Sequence, residues 1–249
     1  MILKIFNNQN ELAVKVATQI VDQIKEKPDA LICFATGESP MATYKVLVQE
    51  LKTQQIDFTK FTMIGLDEWV NIPPENSGSC AYFLHHYLIA PLQLSSDQYH
   101  LFNAMSPDLN QECLDMDNYI KQKGGLDLII VGIGMNGHIG FNEPGTPNHL
   151  YTHVIDLDTT TTSVGQKYFS GQTTLSKGIT LGLQYVSEAK QVILIASGDR
   201  KASIIKQTLE GPITPEIPAT ILRKLENAYI MTDQEAASLL DSPIVSNQI

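Results

Sequence analysis

Two adjacent carboxylates, Asp67 and Glu68, close the apolar run Phe61-Thr62-Met63-Ile64-Gly65-Leu66. A carboxylate at the end of a strand and facing a cleft can act as a general base. Neighbouring residues of a strand point opposite ways. One of the pair can therefore face the cleft while the other makes a structural hydrogen bond or helps set its partner's pKa. A second group lies in the glycine-rich stretch Gly132–Gly145, which presents Asn136, His138 and Glu143. Imidazole titrates near neutrality, and a nearby carboxylate orients it and raises its basicity, the logic of an acid/base relay. Two further segments suit an anion. In Ala35-Thr36-Gly37-Glu38-Ser39-Pro40, Ser39 is predicted to cap a helix and Pro40 to occupy its first turn. Free N–H groups at such an end attract phosphate, and Gly37 allows close approach. Glu38 opposes that reading unless its side chain points away. In Ala196-Ser197-Gly198-Asp199-Arg200-Lys201 a strand ends, a glycine turns the chain and a helix begins, so Lys201 can reach an anion as a point charge.

Other patterns carry less. Gly132, Gly134 and Gly137 spell G-x-G-x-x-G, with Asp156 downstream where a dinucleotide site wants its acid. That motif needs a helix directly after the glycines, and Gly140 and Pro144 interrupt one, so no nucleotide is expected. Cys80, His85 and His86 lie close in sequence, but adjacent histidines splay and cannot share a metal. Trp69 is read as packing beside the site or stacking on a sugar face.

The elements that must position these groups alternate along the chain. Strands are predicted at Leu3–Phe6, Ala30–Ala35, Phe61–Leu66, Leu126–Ile133, Gln191–Ala196 and Ala228–Met231, with a short one at His153–Leu157. Several are continuous apolar runs, as in strands buried on both faces of a parallel sheet. Helical patterns fall at Asn10–Lys25, Thr43–Leu51, Ala81–Ile89, Gln111–Lys121 and Ala202–Leu209. The alternation predicts one α/β domain over residues 1–249, a mostly parallel sheet with helices on both faces. In such sheets ligands bind beyond the carboxyl ends of the strands, which is where all four chemical segments fall. The stretch from Pro144 to Gly178, rich in Thr, Gly and Pro, reads as an irregular lid.

Composition narrows the partners. The 249 residues contain 17 Lys+Arg and 27 Asp+Glu, a formal charge of −10, which disfavours nucleic acid and anionic membranes. No apolar run approaches the roughly 18 residues of a spanning helix. Cys33, Cys80 and Cys113 are far apart and fit no zinc spacing, so they read as reduced thiols of a cytoplasmic protein. The N-terminal Met1–Phe6 reads as a strand, not a signal peptide.

Taken in order, the four segments resemble the aminosugar-6-phosphate deaminase/isomerase family over nearly the whole chain. The loop Gly134-Met135-Asn136-Gly137-His138-Ile139-Gly140-Phe141-Asn142-Glu143-Pro144-Gly145 carries the resemblance most specifically, beside Thr36-Gly37-Glu38-Ser39-Pro40, Leu66-Asp67-Glu68 and Ser197-Gly198-Asp199-Arg200-Lys201-Ala202. Leu66–Val70, Lys123–Leu128, Lys177–Leu183 and Ile217–Thr220 look more like the galactosamine-6-phosphate branch, since glucosamine enzymes usually carry Tyr at position 69.

The resemblance implies a modified Rossmann-like fold and a reaction without metal or organic cofactor. The expected reaction is galactosamine 6-phosphate to tagatose 6-phosphate and ammonia, with glucosamine 6-phosphate to fructose 6-phosphate as the alternative. A 6-phosphogluconolactonase-like hydrolase and a non-catalytic sugar-phosphate sensor are the remaining readings. His138 would help open the sugar ring and Asp67 would carry the proton between C2 and C1. Glu143 would keep His138 oriented, and Asn136 would hold one ring nitrogen where the best-known glucosamine enzymes have Asp. Thr36, Gly37, Glu38, Ser39, Gly137 and Lys201 would bind substrate and phosphate, with Lys167 replacing a phosphate-binding Arg. The chain ends soon after Leu240, short of the allosteric hexameric members, so a monomer or small homo-oligomer is expected.

Overall fold

Leu31–Phe34 (β2), Leu128–Val131 (β6) and Val192–Ala196 (β9) are buried at every position. Runs of this kind form only where both faces of a sheet are covered. In the computed structural model, which describes residues 1–241, they lie inside a seven-stranded sheet. Its other strands are Ile2–Phe6 (β1), Thr62–Gly65 (β3), Tyr99–His100 (β5) and Ala228–Asp233 (β10). The order is β1-β10-β9-β6-β2-β3-β5 and every pairing is parallel. The four strands that lead into the chemical segments, β9, β6, β2 and β3, are therefore neighbours at its centre. Residues 242–249, the end of the expected domain, lie outside the described ones.

Alternation along the strands feeds two cores. Ile32, Phe34, Ile193 and Ile195 face Gln9–Glu26 (α1) and Glu38–Thr53 (α2), whose Leu12, Val16, Ile20 and Leu47 are buried there. Leu31, Cys33, Val192 and Leu194 face the opposite layer. It holds Met116 and Ile120 of Leu109–Gln122 (α5), Val186 of Leu183–Glu188 (α7) and Ile204 and Ile205 of Ala202–Glu210 (α8). Each such side chain contributes about 1.5–3 kcal/mol by leaving water. This is the expected α/β fold with helices on both faces. Among the described residues no helix is long and apolar enough to cross a membrane.

Several elements depart from expectation. The chain leaves β3 at Gly65 and within two residues enters Asp67–Trp69 (β4). Strand β4 pairs antiparallel with Lys177–Thr180 (β8), which pairs with His153–Asp156 (β7). Asp67 thus stands where the parallel sheet hands over to a second, three-stranded sheet. The stretch expected to be an irregular lid around one short strand, found as β7, also contains the helix Thr159–Gly165 (α6) and the start of β8. The predicted helix 81–89 divides into Cys80–Leu84 (α3), a π-helical turn His85–Ile89 and Ala90–Leu92 (α4). Helix α2 starts at Glu38, not after Ser39. Its cap is Gly37, at φ +115°, with no side-chain cap bond. That backbone conformation strains any residue with a Cβ, so glycine sets the turn and Ser39 is freed from capping.

Candidate active site

The segments at the ends of β2, β3, β6 and β9 enclose one cavity of about 1020 Å³. Asp67 and Glu68, at its base, divide their tasks as adjacent strand residues must. The buried Glu68 accepts backbone N–H bonds from Trp69 (2.9 Å), Cys80 (2.9 Å) and Ala81 (2.7 Å). It thereby serves as the anion at the start of α3 and locks β4 to that helix. Asp67 points the other way and lines the cavity. Its Oδ1 is buried without a hydrogen-bond partner. Burial pushes the Asp67 carboxyl up to about 7, the Glu68 charge adds to the rise, and the Cys80 thiol offsets part of it. A carboxyl with that proton affinity, open to a cavity, can take and return a proton near neutral pH.

His138 comes from the loop after β6 and also lines the cavity. Its Nδ1 lies 3.1 Å from Glu143 Oε2 and 3.1 Å from Thr161 Oγ1. Burial raises the Glu143 carboxyl, but the bond and charge of His138, with the Thr161 and Asn136 bonds, together outweigh this and hold it below the usual range. A Cβ at Gly134 would come within 2.3 Å of the His138 ring, so only glycine leaves room for that ring position. Contrary to expectation, Asn136 does not hold a ring nitrogen; its Nδ2 donates to Glu143 Oε2 at 2.9 Å and its Oδ1 accepts from the His138 backbone at 3.3 Å. It acts on the imidazole through Glu143 and the loop backbone. An amide here donates a bond that a carboxylate could not, while adding no negative charge beside Glu143.

Part of the cavity wall is cationic. Lys201 Nζ donates to Ile133 O at 2.6 Å, and burial, followed by the Lys167 charge, pushes its pKa down to about 8. Lys167 and Arg200 reach the same oxygen of Glu38, at 3.0 and 3.2 Å. Thr36, Gly37 and Ser39 line the cavity beside them at the N-terminus of α2. Asp233 fixes the β9 loop: it accepts from the Gly198 N–H at 3.1 Å and from the Ser197 hydroxyl.

Of the expected residues, Asp67, His138, Asn136, Thr36, Gly37, Glu38, Ser39, Lys167 and Lys201 share the cavity wall. Glu143 stands behind His138 and does not line it. Gly137, expected to contact substrate, does not line it either. It turns the loop at φ +84°, where a Cβ would strike Ile217, and its carbonyl accepts the Ala219 N–H at 2.9 Å. Arg200, Cys80 and Thr161 were missed. Arg200 had a signal, a second cation beside Lys201. Cys80, which accepts the Thr36 hydroxyl at 3.3 Å, and Thr161, one of four consecutive threonines, had none. Among the described residues no three His, Cys, Asp or Glu side chains converge as a metal site.

A parallel α/β sheet with acid/base groups and a cationic wall around one strand-end cleft defines a small-molecule site of the kind such folds build. The family model described as glucosamine-6-phosphate isomerases/6-phosphogluconolactonase matches residues 7–231, and the chain belongs to that family. A Thermoanaerobacter sp. (strain X514) protein named glucosamine-6-phosphate deaminase is 38% identical over 94% of this chain and 92% of its own. One of the same name from Bacillus pumilus (strain SAFR-032) is 39% identical over 94% of this chain and 98% of its own. A solved structure described as a monomeric glucosamine-6-phosphate deaminase superposes with a TM-score of 0.93 at 32% identity, covering 96% of this chain and all of that one.

Proposed function

We propose that the chain isomerises and deaminates glucosamine 6-phosphate, consuming one water to give fructose 6-phosphate and ammonia. The observation that carries this reading is Asp67, a carboxyl with its Oδ1 unpartnered and its pKa near 7, opening into a cavity that Lys167, Arg200 and Lys201 also line. Relatives named glucosamine-6-phosphate deaminase at 38–39% identity support the glucosamine epimer over the galactosamine preference suggested by the sequence.

In this reading the 6-phosphate binds Lys201, Lys167 and the α2 N-terminus. His138, held by Glu143 and Thr161, takes the O1 proton and delivers it to the ring oxygen as the C1–O5 bond breaks. Asp67 then takes the C2 proton while the C1 carbonyl oxygen gains one, giving an enolamine. Return of that proton to C1 leaves an iminium ion at C2, which water hydrolyses to the ketose and ammonium, the protonated form of the ammonia product. A base with pKa near the working pH combines a large ionised fraction with adequate basicity.

A second reading, galactosamine 6-phosphate to tagatose 6-phosphate, is favoured by one observation. Trp69 lines the cavity beside Asp67, where glucosamine enzymes usually carry Tyr. Ammonia release measured side by side on the two epimers separates them. The expected result is a higher kcat/KM for glucosamine 6-phosphate; the reverse order moves the assignment to the second reading. Release from neither, with hydrolysis of 6-phosphogluconolactone instead, overturns both.

A further inference from the structure

Glu38 is the first residue of α2, at the mouth of the anion subsite, and it does not point away from it. One carboxylate oxygen takes both Lys167 Nζ at 3.0 Å and the Arg200 guanidinium at 3.2 Å. The Lys167 bond leads in holding the Glu38 carboxyl below its usual range, with burial opposing and Arg200 and Lys201 adding to the lowering. Three cations and one carboxylate thus meet at one end of the cavity, a formal sum of +2. A carboxylate has no donor to offer a phosphate ester, so the Glu38 side chain cannot bind one. It occupies the donors of Lys167 and Arg200 that a phosphate would use.

We propose that Glu38 is a built-in anionic competitor for the phosphate subsite, and that Arg200 is a third cation of that subsite. This rests on the reading that the subsite takes the 6-phosphate. Glu38 trims the local charge from +3 to +2, the charge that matches a phosphate dianion. It thereby limits how tightly any phosphate is held, the product's included. Both pairs are substantially exposed, with Arg200 73% and the Glu38 side chain 54% accessible. Exposed ion pairs are weak, so a dianion displaces the carboxylate readily. The carboxylate still stays within reach of the dianion's field. A unit charge about 5 Å from a dianion in a solvated, salt-screened setting changes affinity by roughly 5- to 20-fold.

The test measures the KM of ammonia release and the inhibition constant of inorganic phosphate for the wild type, Glu38→Gln and Arg200→Gln. Working at pH 6.5 keeps Lys201, with its pKa about 8, charged. The expected result is that Glu38→Gln lowers both constants roughly 5- to 20-fold, and that Arg200→Gln raises both by a comparable factor. Glu38→Gln leaving both constants unchanged, or raising them, would mean that Glu38 serves only to hold the two cations and would overturn the proposal. A wild type that inorganic phosphate does not inhibit and that releases no ammonia would instead overturn the functional reading beneath it.

Discussion

Replacing Asp67 by Asn removes a carboxyl whose pKa in the folded chain, about 7, stands well above the 3.8 of an exposed aspartate. The folded state therefore holds this proton more tightly than the unfolded state does. Below pH 4 the carboxyl is protonated in both states and costs nothing. As pH rises from 4 to 7 the unfolded chain ionises first, and the cost of burying the charge grows; above 7 it is constant. With each pKa unit equivalent to about 1.4 kcal/mol, the full cost is roughly 4 kcal/mol. An Asn side chain is neutral throughout and escapes it, less what its own amide loses by burial. For a chain of this size, with about 2–4 °C of Tm per kcal/mol, Asp67→Asn is expected to raise Tm by several degrees at pH 8 and hardly at all at pH 4. In the same variant kcat of ammonia release is expected to fall at least about 100-fold. Thermal denaturation at pH 4, 6 and 8 reads the first effect. A variant less stable than wild type at pH 8, or equally stabilised at both extremes, would show that the carboxylate is well solvated, and the argument for a base near neutrality would fail.

Three further outcomes follow from the same geometry. The kcat/KM of the wild type should drop about tenfold per pH unit below 7 as Asp67 protonates, while KM climbs above pH 8 as Lys201 loses its proton; a profile flat from pH 5 to 9 contradicts both assignments. Glu68→Ala leaves the Trp69, Cys80 and Ala81 N–H groups without their acceptor and should cost roughly 2–5 kcal/mol in a urea titration, with an unchanged midpoint counting against the locking role. Gly134→Ala inserts a methyl where the His138 ring lies and should lower kcat about tenfold or more with little change in Tm, and full activity would refute that ring position.

Much of this was legible because strand burial and strand-end chemistry share one pattern. Apolar runs such as Leu128–Val131 marked the central strands, and the polar residues just beyond them mark the cleft. The three-stranded sheet was not legible. Asp67–Trp69 and Lys177–Thr180 are three and four residues long, and they pair only because the chain brings them together across more than a hundred positions. Helix α6 went unread because the run Thr159–Thr162 is poor helix material; its hold comes from the Asp158 cap, which accepts the Thr160 N–H at 2.7 Å. Glycine meanings were only half visible. The glycine-rich loop could be seen to turn, but whether Gly134 or Gly137 faced the cavity depended on what packs behind each, His138 for one and Ile217 for the other. The role of Glu38 needed the side chains of Lys167 and Arg200, which the fold carries to it from 129 and 162 residues away.

The most direct test follows the label from glucosamine 6-phosphate deuterated at C2, by NMR, through wild type and Asp67→Asn. Wild type should strip deuterium from C2, deliver part of it to C1 of fructose 6-phosphate and the rest to solvent, and release one ammonia per ketose. Asp67→Asn should bind the substrate yet leave the C2 label in place. Ammonia release from wild type with the C2 deuterium retained, or exchange by Asp67→Asn at the wild-type rate, would contradict the assignment of Asp67 as the proton-transfer base.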